Sequence, residues 1–286
     1  MTKFRVIYFL HLIIVSFFFL NFSSMKASLK NPIAPPIKSS PLQPHRPFVI
    51  FSPPKCGTHL VGKTLSLMVN ENPAYYLSGI GDNSILDSLN IVASEEARGC
   101  FVVGHHFTNS LLKTLVRKGY KIIFVVRDPR DQLISALNWL KEGQWFWLPI
   151  AGMSNYNDQI TEAITGSKYG WQSVESCFLT FEQELAGLPM NSIYKVRFEH
   201  LVGVNGKGTS EEQTNEIINI GNHLGLALNS KKIQYVADHL FGGTTTFRDG
   251  SIGKWKQTFT SEQIELFKQR YNYLLLRLNY EKNSQW

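Results

Sequence analysis

The run from Lys121 to Val126, KIIFVV, constrains this chain more than any other stretch. Five consecutive apolar residues, all β-branched or aromatic, leave no polar face, so the segment fits a strand buried on both sides of a sheet. The strand has to end at Arg127. Asp128 is an N-cap candidate and Pro129 a favoured first-turn residue, which predicts a helix running through Ile134 to Leu140. Phe48 to Phe51 repeats the pattern: a short apolar run, the breakers Ser52-Pro53-Pro54, then Leu60, Val61, Thr64, Leu65, Met68 and Val69 at helical spacing until Asn70 to Pro73. Strands are also expected at Cys100 to Val103 and Ile193 to Phe198. Helices are expected at Ser110 to Arg117, Glu211 to Leu224 and Ser261 to Leu278. Buried strands alternating with helices define an α/β fold, a P-loop-like parallel sheet with helices on both faces. In such folds ligands collect at the carboxyl ends of the strands.

With 286 residues, 43% of them hydrophobic and 18% charged, the chain can build one substantial core, and residues 48–286 form the expected single domain. The first thirty residues do not belong to it. Lys3 and Arg5 precede an apolar stretch from Val6 to Leu20, followed by a small polar tract, the pattern of a signal peptide or a short signal anchor. The apolar run is shorter than the roughly 20 residues that span a bilayer, which favours cleavage; the lack of a small-x-small site favours retention through residues 6–22, and both readings stay open. Either one implies the secretory pathway, with a product that is secreted, periplasmic or membrane-anchored. Residues 31–47 hold six prolines and read as an extended linker. The net charge of +7 suits an anionic partner. No Lys/Arg run tracks a nucleic-acid backbone, so a nucleotide is favoured over a nucleic acid. Cys56, Cys100 and Cys177 have neither metal-ligand spacing nor the density of a disulfide framework, and no metal is implied.

The loop from Ser52 to His59 joins the first strand to its helix. A glycine there lets the backbone approach a phosphate, the helix start presents amides to it, and Lys55 adds a full charge. A plain strand-to-helix turn with a solvated lysine is the alternative. A second motif overlaps: Gly57 to Thr64, GTHLVGKT, matches the G-x-x-x-x-G-K-T loop of kinases and nucleoside triphosphatases. That reading needs Gly62-Lys63-Thr64 to open the helix, whereas the helical face already begins at Leu60. Gly57 also stands six positions after Phe51, two of them proline.

Pro54-Lys55-Cys56-Gly57-Thr58-His59-Leu60 resembles the P-K-S-G-T-T-W loop of sulfotransferases that use 3′-phosphoadenosine 5′-phosphosulfate (PAPS). The resemblance implies that this loop binds the 5′-phosphosulfate end of the donor through Lys55, Gly57 and Thr58. Cys56 stands for Ser, His59 for Thr, and Leu60 for the Trp that stacks on adenine. Arg127 to Ser135, RDPRDQLIS, is similar to the family's R-N-P-K-D-x-x-x-S element, which implies that Arg127 and Ser135 hold the donor's 3′-phosphate. Guanidinium chemistry agrees, since a rigid fork grips phosphate bidentately. A hydrophobic strand followed by Asp128 also resembles the magnesium-binding strand of a triphosphatase. Phe247 to Lys256, FRDGSIGKWK, resembles R-K-G-x-x-G-D-W-K and implies that Arg248 and Gly250 complete the 3′-phosphate site, with Asp249 as a backbone contact. A triphosphatase has no use for that third element. Phe198 stands where many members have Tyr, either near the nucleotide or as a core residue.

Sulfuryl transfer needs a base for the acceptor, and Val102 to Phe107 ends a strand with His105 and His106. An imidazole suits proton abstraction near neutral pH. In the family a His lies twenty-two residues before the phosphate-binding Arg, the spacing of His105 to Arg127 in this chain; His106 is one residue short and remains the alternative. The implied function is transfer from PAPS to an acceptor hydroxyl or amine on a glycan, lipid, phenol or peptide. The competing classes are a P-loop kinase or triphosphatase and a tethered protein that binds nucleotide without catalysis.

Overall fold

A computed structural model describes residues 47–70, 75–77, 101–105, 107–141, 149–165, 174–244 and 247–286. The N-terminal targeting segment, nearly all of the linker and His106 lie outside the described residues. Among the described residues no helix is long and apolar enough to cross a membrane.

Five strands form one parallel sheet: β1 (Phe48–Phe51), β2 (Tyr75–Leu77), β3 (Phe101–Gly104), β4 (Lys121–Val126) and β5 (Ile193–Arg197), in the order β2-β3-β1-β4-β5. The helices in chain order are α1 (Thr58–Val69), α2 (Asn109–Arg117), α3 (Pro129–Trp139), α4 (Tyr156–Thr165), α5 (Val174–Glu184), α6 (Phe198–Leu201), α7 (Ser210–Leu224), α8 (Ser230–Leu240), α9 (Trp255–Thr258) and α10 (Ser261–Arg277). The expected β4 matches residue for residue, and Asp128 caps α3 by accepting the Arg130 amide at 2.9 Å, with Pro129 in the first turn. The expected strand to Phe198 is one residue too long. The chain turns at Arg197, and Phe198 opens the short α6. The edge strand β2 lay outside the sequence expectations.

Alternation along β1 and β4 builds two apolar layers. Phe48 and Ile50, with Ile123 and Val125, pack on one face against Val61 and Leu65 of α1, Ile217 and Ile220 of α7 and Val236 of α8. Val49 and Phe51, with Ile122, Phe124 and Val126, pack on the other against Leu111, Leu112 and Leu115 of α2 and Phe181 of α5. Each such side chain stabilises the fold by about 1.5–3 kcal/mol through burial. Phe51 is stacked on Phe181 at 4.8 Å and meets Phe107 edge-on at 5.5 Å, so the last residue of β1 is fixed where the loop to α1 begins. The connection leaving β1 runs toward β2 and the one leaving β4 toward β5. The crevice at the carboxyl ends of β1 and β4 is therefore the switch point at which an open α/β sheet accepts ligands.

Candidate active site

Lys55 and Gly57 both adopt left-handed backbone conformations, with φ of 67° and 105°. Left-handed residues flank Cys56, whose amide donates to the Pro53 carbonyl at 3.3 Å and closes the turn. For a lysine this conformation carries strain and persists only where the surroundings enforce it. Gln132 Nε2 on α3 donates to the Pro54 carbonyl at 2.9 Å, and Arg127 Nη1 to the Lys55 carbonyl at 3.3 Å. Gly57 is required for a second reason: a Cβ there would lie 2.5 Å from Cδ2 of Phe198. α1 then starts at Thr58 without a side-chain cap, the arrangement in which helix-start amides serve an anion. Thr58 is buried, its hydroxyl bonded to that of Ser52 at 2.5 Å. Cys56 is fully buried in the core beneath the loop, and burial pushes its thiol well above the usual range. Leu60 is half-buried against the α1 layer.

The triphosphatase register fails on the same helix. Gly62 is buried inside α1, Thr64 bonds back to the Leu60 carbonyl at 2.9 Å, and Lys63 Nζ donates to the Gly242 carbonyl at 2.8 Å. Lys63 therefore anchors a distant loop. Asp128, the residue that suited a magnesium strand, is engaged by the α3 cap and by Arg130, whose Nη2 meets it at 2.7 Å.

Arg127 leaves the end of β4 with 9% of its surface exposed, its guanidinium 4.2 Å from the centre of the Phe198 ring. Phe198 thus lies between Gly57 and Arg127. Among the described residues, Arg127 donates beyond the Lys55 carbonyl to the Ser251 carbonyl, at 3.4 Å from Nη2, and its buried Nε has no hydrogen-bond partner there. Long bonds and an orphaned N–H on a buried cation fit an anion that completes the set. Ser135 is half-buried further along α3. The third motif is joined to this element by Asp131, which the motif reading did not single out as a ligand. Its carboxylate accepts the Gly253 amide at 2.6 Å and the Trp255 amide at 2.9 Å. Arg248 is exposed, with Nη1 on the Phe247 carbonyl at 2.8 Å. Asp249 is held down to about 2 by its hydrogen bond from Ser251 and by Lys254. Gly250 is left-handed at φ 71°, with Phe247 and Phe241 filling the space a Cβ would need.

At the end of β3, His105 Nδ1 lies 2.8 Å from the Ser52 carbonyl. A carbonyl can only accept, so Nδ1 carries the proton and Nε2 of the neutral ring holds a lone pair. Burial, then Lys55, lowers the pKa of His105 against the raising effect of that hydrogen bond. His59 is lowered to about 4 by burial, then by His105 and Lys55. The Lys55 ammonium also sits 5.2 Å from the Trp139 ring centre. Sequence reasoning missed Ser52 and Gln132, whose contributions run through a carbonyl and to a carbonyl and leave no motif.

The sulfotransferase domain family matches residues 45–279, and the chain belongs to it. It is a PAPS-dependent transferase by that membership. Its fold is similar to that of a mouse sulfotransferase, SULT7A1, complexed with PAP, at 18% identity and a TM-score of 0.59 over 79% of this chain and 84% of that one. It is similar also to a retinol dehydratase in complex with androsterone and inactive cofactor PAP, at 17% identity and a TM-score of 0.58 over 80% of each chain. No curated protein matches the chain in sequence.

Proposed function

We propose that this chain moves the sulfuryl group of PAPS to an acceptor hydroxyl or amine in the crevice between β1 and β4, with Lys55, His105 and Arg127 in separate roles. The observation that carries the reading is Arg127, a buried cation with an orphaned Nε at the end of β4. The donor supplies the sulfuryl group and departs as PAP. His105 Nε2 takes the acceptor's proton as the acceptor oxygen bonds to sulfur and the bond from sulfur to the phosphate oxygen breaks. Lys55 meets the charge that develops on that oxygen, and the amides of Gly57, Thr58 and His59 face the 5′-phosphate. Arg127, Ser135, Arg248 and Gly250 hold the 3′-phosphate, with Asp249 ordering their loop. Leu60 and Phe198 give apolar cover to the nucleotide. Trp139, beside Lys55, supports an apolar wall next to the reacting atoms. We place the protein in the secretory pathway, with residues 6–22 as cleaved signal or anchor; N-terminal sequencing of the mature protein decides between them. Transfer of labelled sulfate from PAPS to panels of glycans, lipids, phenols and tyrosine peptides tests the activity. A protein that binds donor and sulfates none of these classes would fit the non-catalytic alternative.

The 3′-phosphate roles predict a discrimination. Arg127→Ala should weaken PAP relative to adenosine 5′-phosphate by about 1.5–3 kcal/mol, the worth of a charged hydrogen bond. Arg248→Ala should act in the same direction and less strongly, because its guanidinium is exposed to solvent. Titration calorimetry with both nucleotides measures it, and equal losses for both would remove these residues from the 3′-phosphate.

His105 also predicts the pH profile. The neutral ring is the active form and burial lowers its pKa, so activity is retained above that value and lost as pH falls through it. The acid limb of kcat/KM for the donor should therefore have its midpoint below the ordinary imidazole value of about 6.5. A midpoint above that value would contradict a desolvated His105 as base.

A further inference from the structure

The segment after α10 reaches back under the donor site. Arg130 lies three residues beyond Arg127, with its side chain 3% exposed and paired to Asp128 at 2.7 Å and to Glu281 at 2.7 Å. Its guanidinium carbon is 3.9 Å from the ring centre of Trp255 and 4.4 Å from that of Trp286. The two indoles meet edge-on at 5.4 Å, and Trp286 is oriented by its own Nε1 bond to Asn272 at 2.8 Å. A parallel tie comes from Tyr280. Its hydroxyl donates to Glu199 Oε2 at 2.9 Å, and Glu199 Oε1 accepts the Asp128 amide at 2.8 Å. Two branches thus converge on the turn that aims Arg127, and one of them also holds Trp255, the end of the loop that carries Arg248.

We propose that Tyr280, Glu281 and Trp286 are positioning residues that set the 3′-phosphate selectivity of the donor site by clamping the Asp128–Arg130 turn; this rests on the donor reading above. Glu281 and Trp286 meet the donor motifs only at Arg130 and Trp255 among the described residues, and none of the three lies within the segments that resemble the family's donor motifs. The physical basis is that the Arg127 guanidinium rests on the Phe198 ring and on two long bonds to carbonyls, contacts that fix its direction weakly. Its aim then depends on the backbone beneath it. A clamp built from a buried ion pair, two indole faces and a carboxylate bridge gives that backbone one arrangement.

The test compares PAP with adenosine 5′-phosphate on the full chain. Trp286→Ala should lower the ratio of the two affinities by about tenfold, part of a charged hydrogen bond. Adenosine 5′-phosphate affinity should hold, KM for PAPS should rise, and kcat should change little. Trp286→Phe, which keeps an aromatic face on Arg130, should restore most of the ratio. Should Trp286→Ala fail to fold, Glu281→Gln removes only the charge and should lower the ratio in the same direction. Folded variants with a native ratio would overturn the proposal and leave the segment a structural role. If the native protein itself does not prefer PAP over adenosine 5′-phosphate, the donor reading fails first and the proposal with it.

Discussion

Lys55→Ala should lower turnover by about 10²–10³-fold, the cost of removing one preorganised donor to developing charge, while the protein stays folded. Lys63→Ala, six residues into α1, should leave donor affinity largely intact. The two lysines carry the competing loop readings. Lys55 sits in the left-handed turn ahead of an uncapped helix, and its charge helps to lower both His59 and His105. Lys63 is occupied by the Gly242 carbonyl. Turnover and donor titration on both variants separate the readings, and a reversed pattern would move the phosphate site to Gly57–Thr64 and reinstate the triphosphatase.

His105→Ala should cost roughly 10²–10⁴-fold in turnover with little change in nucleotide affinity, because in the proposed roles Lys55 and Arg127 would still hold the donor when proton abstraction is lost. His105 Nδ1 is committed to the Ser52 carbonyl, on the residue that follows β1. The proposed base is thereby tied to the strand that also leads into the loop carrying Lys55. His106→Ala is the comparison and should be milder. If His106→Ala is the dead variant, the base shifts by one residue; near-native turnover in both would place the base elsewhere.

The elements legible in the sequence were those whose signal is local. β4 could be bounded to the residue because five apolar side chains run into Asp128 and Pro129, which cap and start α3. The edge strand β2 has three residues and owes its existence to hydrogen bonds from β3, which no local pattern encodes. α4 buries Gln159 beside Ile160, Ala163 and Ile164, and that glutamine is satisfied by the Met153 carbonyl, so a polar residue interrupts the apolar period. α8 does carry a local signal, Ile233, Val236, Ala237 and Leu240 at helical spacing on the core, and it was legible without being read. Phe198 was open between nucleotide contact and core residue. It lies under Arg127 and against Gly57 because the chain leaves β5 at Arg197, with Glu199 held by the Asp128 amide and Tyr280. Of the candidate site, the three motifs were readable because each places charge at one strand end or loop. The supports were not: Ser52 and Gln132 work through main-chain carbonyls, and Asp131 holds amides 122 and 124 residues away.

The central claim is that the crevice between β1 and β4 is built for a 3′-phosphorylated adenosine donor. Competition calorimetry on the native protein with PAP, adenosine 5′-phosphate and ATP with magnesium tests it most directly. PAP should bind best, loss of the 3′-phosphate should weaken binding by about tenfold or more, and ATP with magnesium should fail to displace PAP at matched concentration. Tighter binding of ATP with magnesium, accompanied by its hydrolysis, would contradict the account.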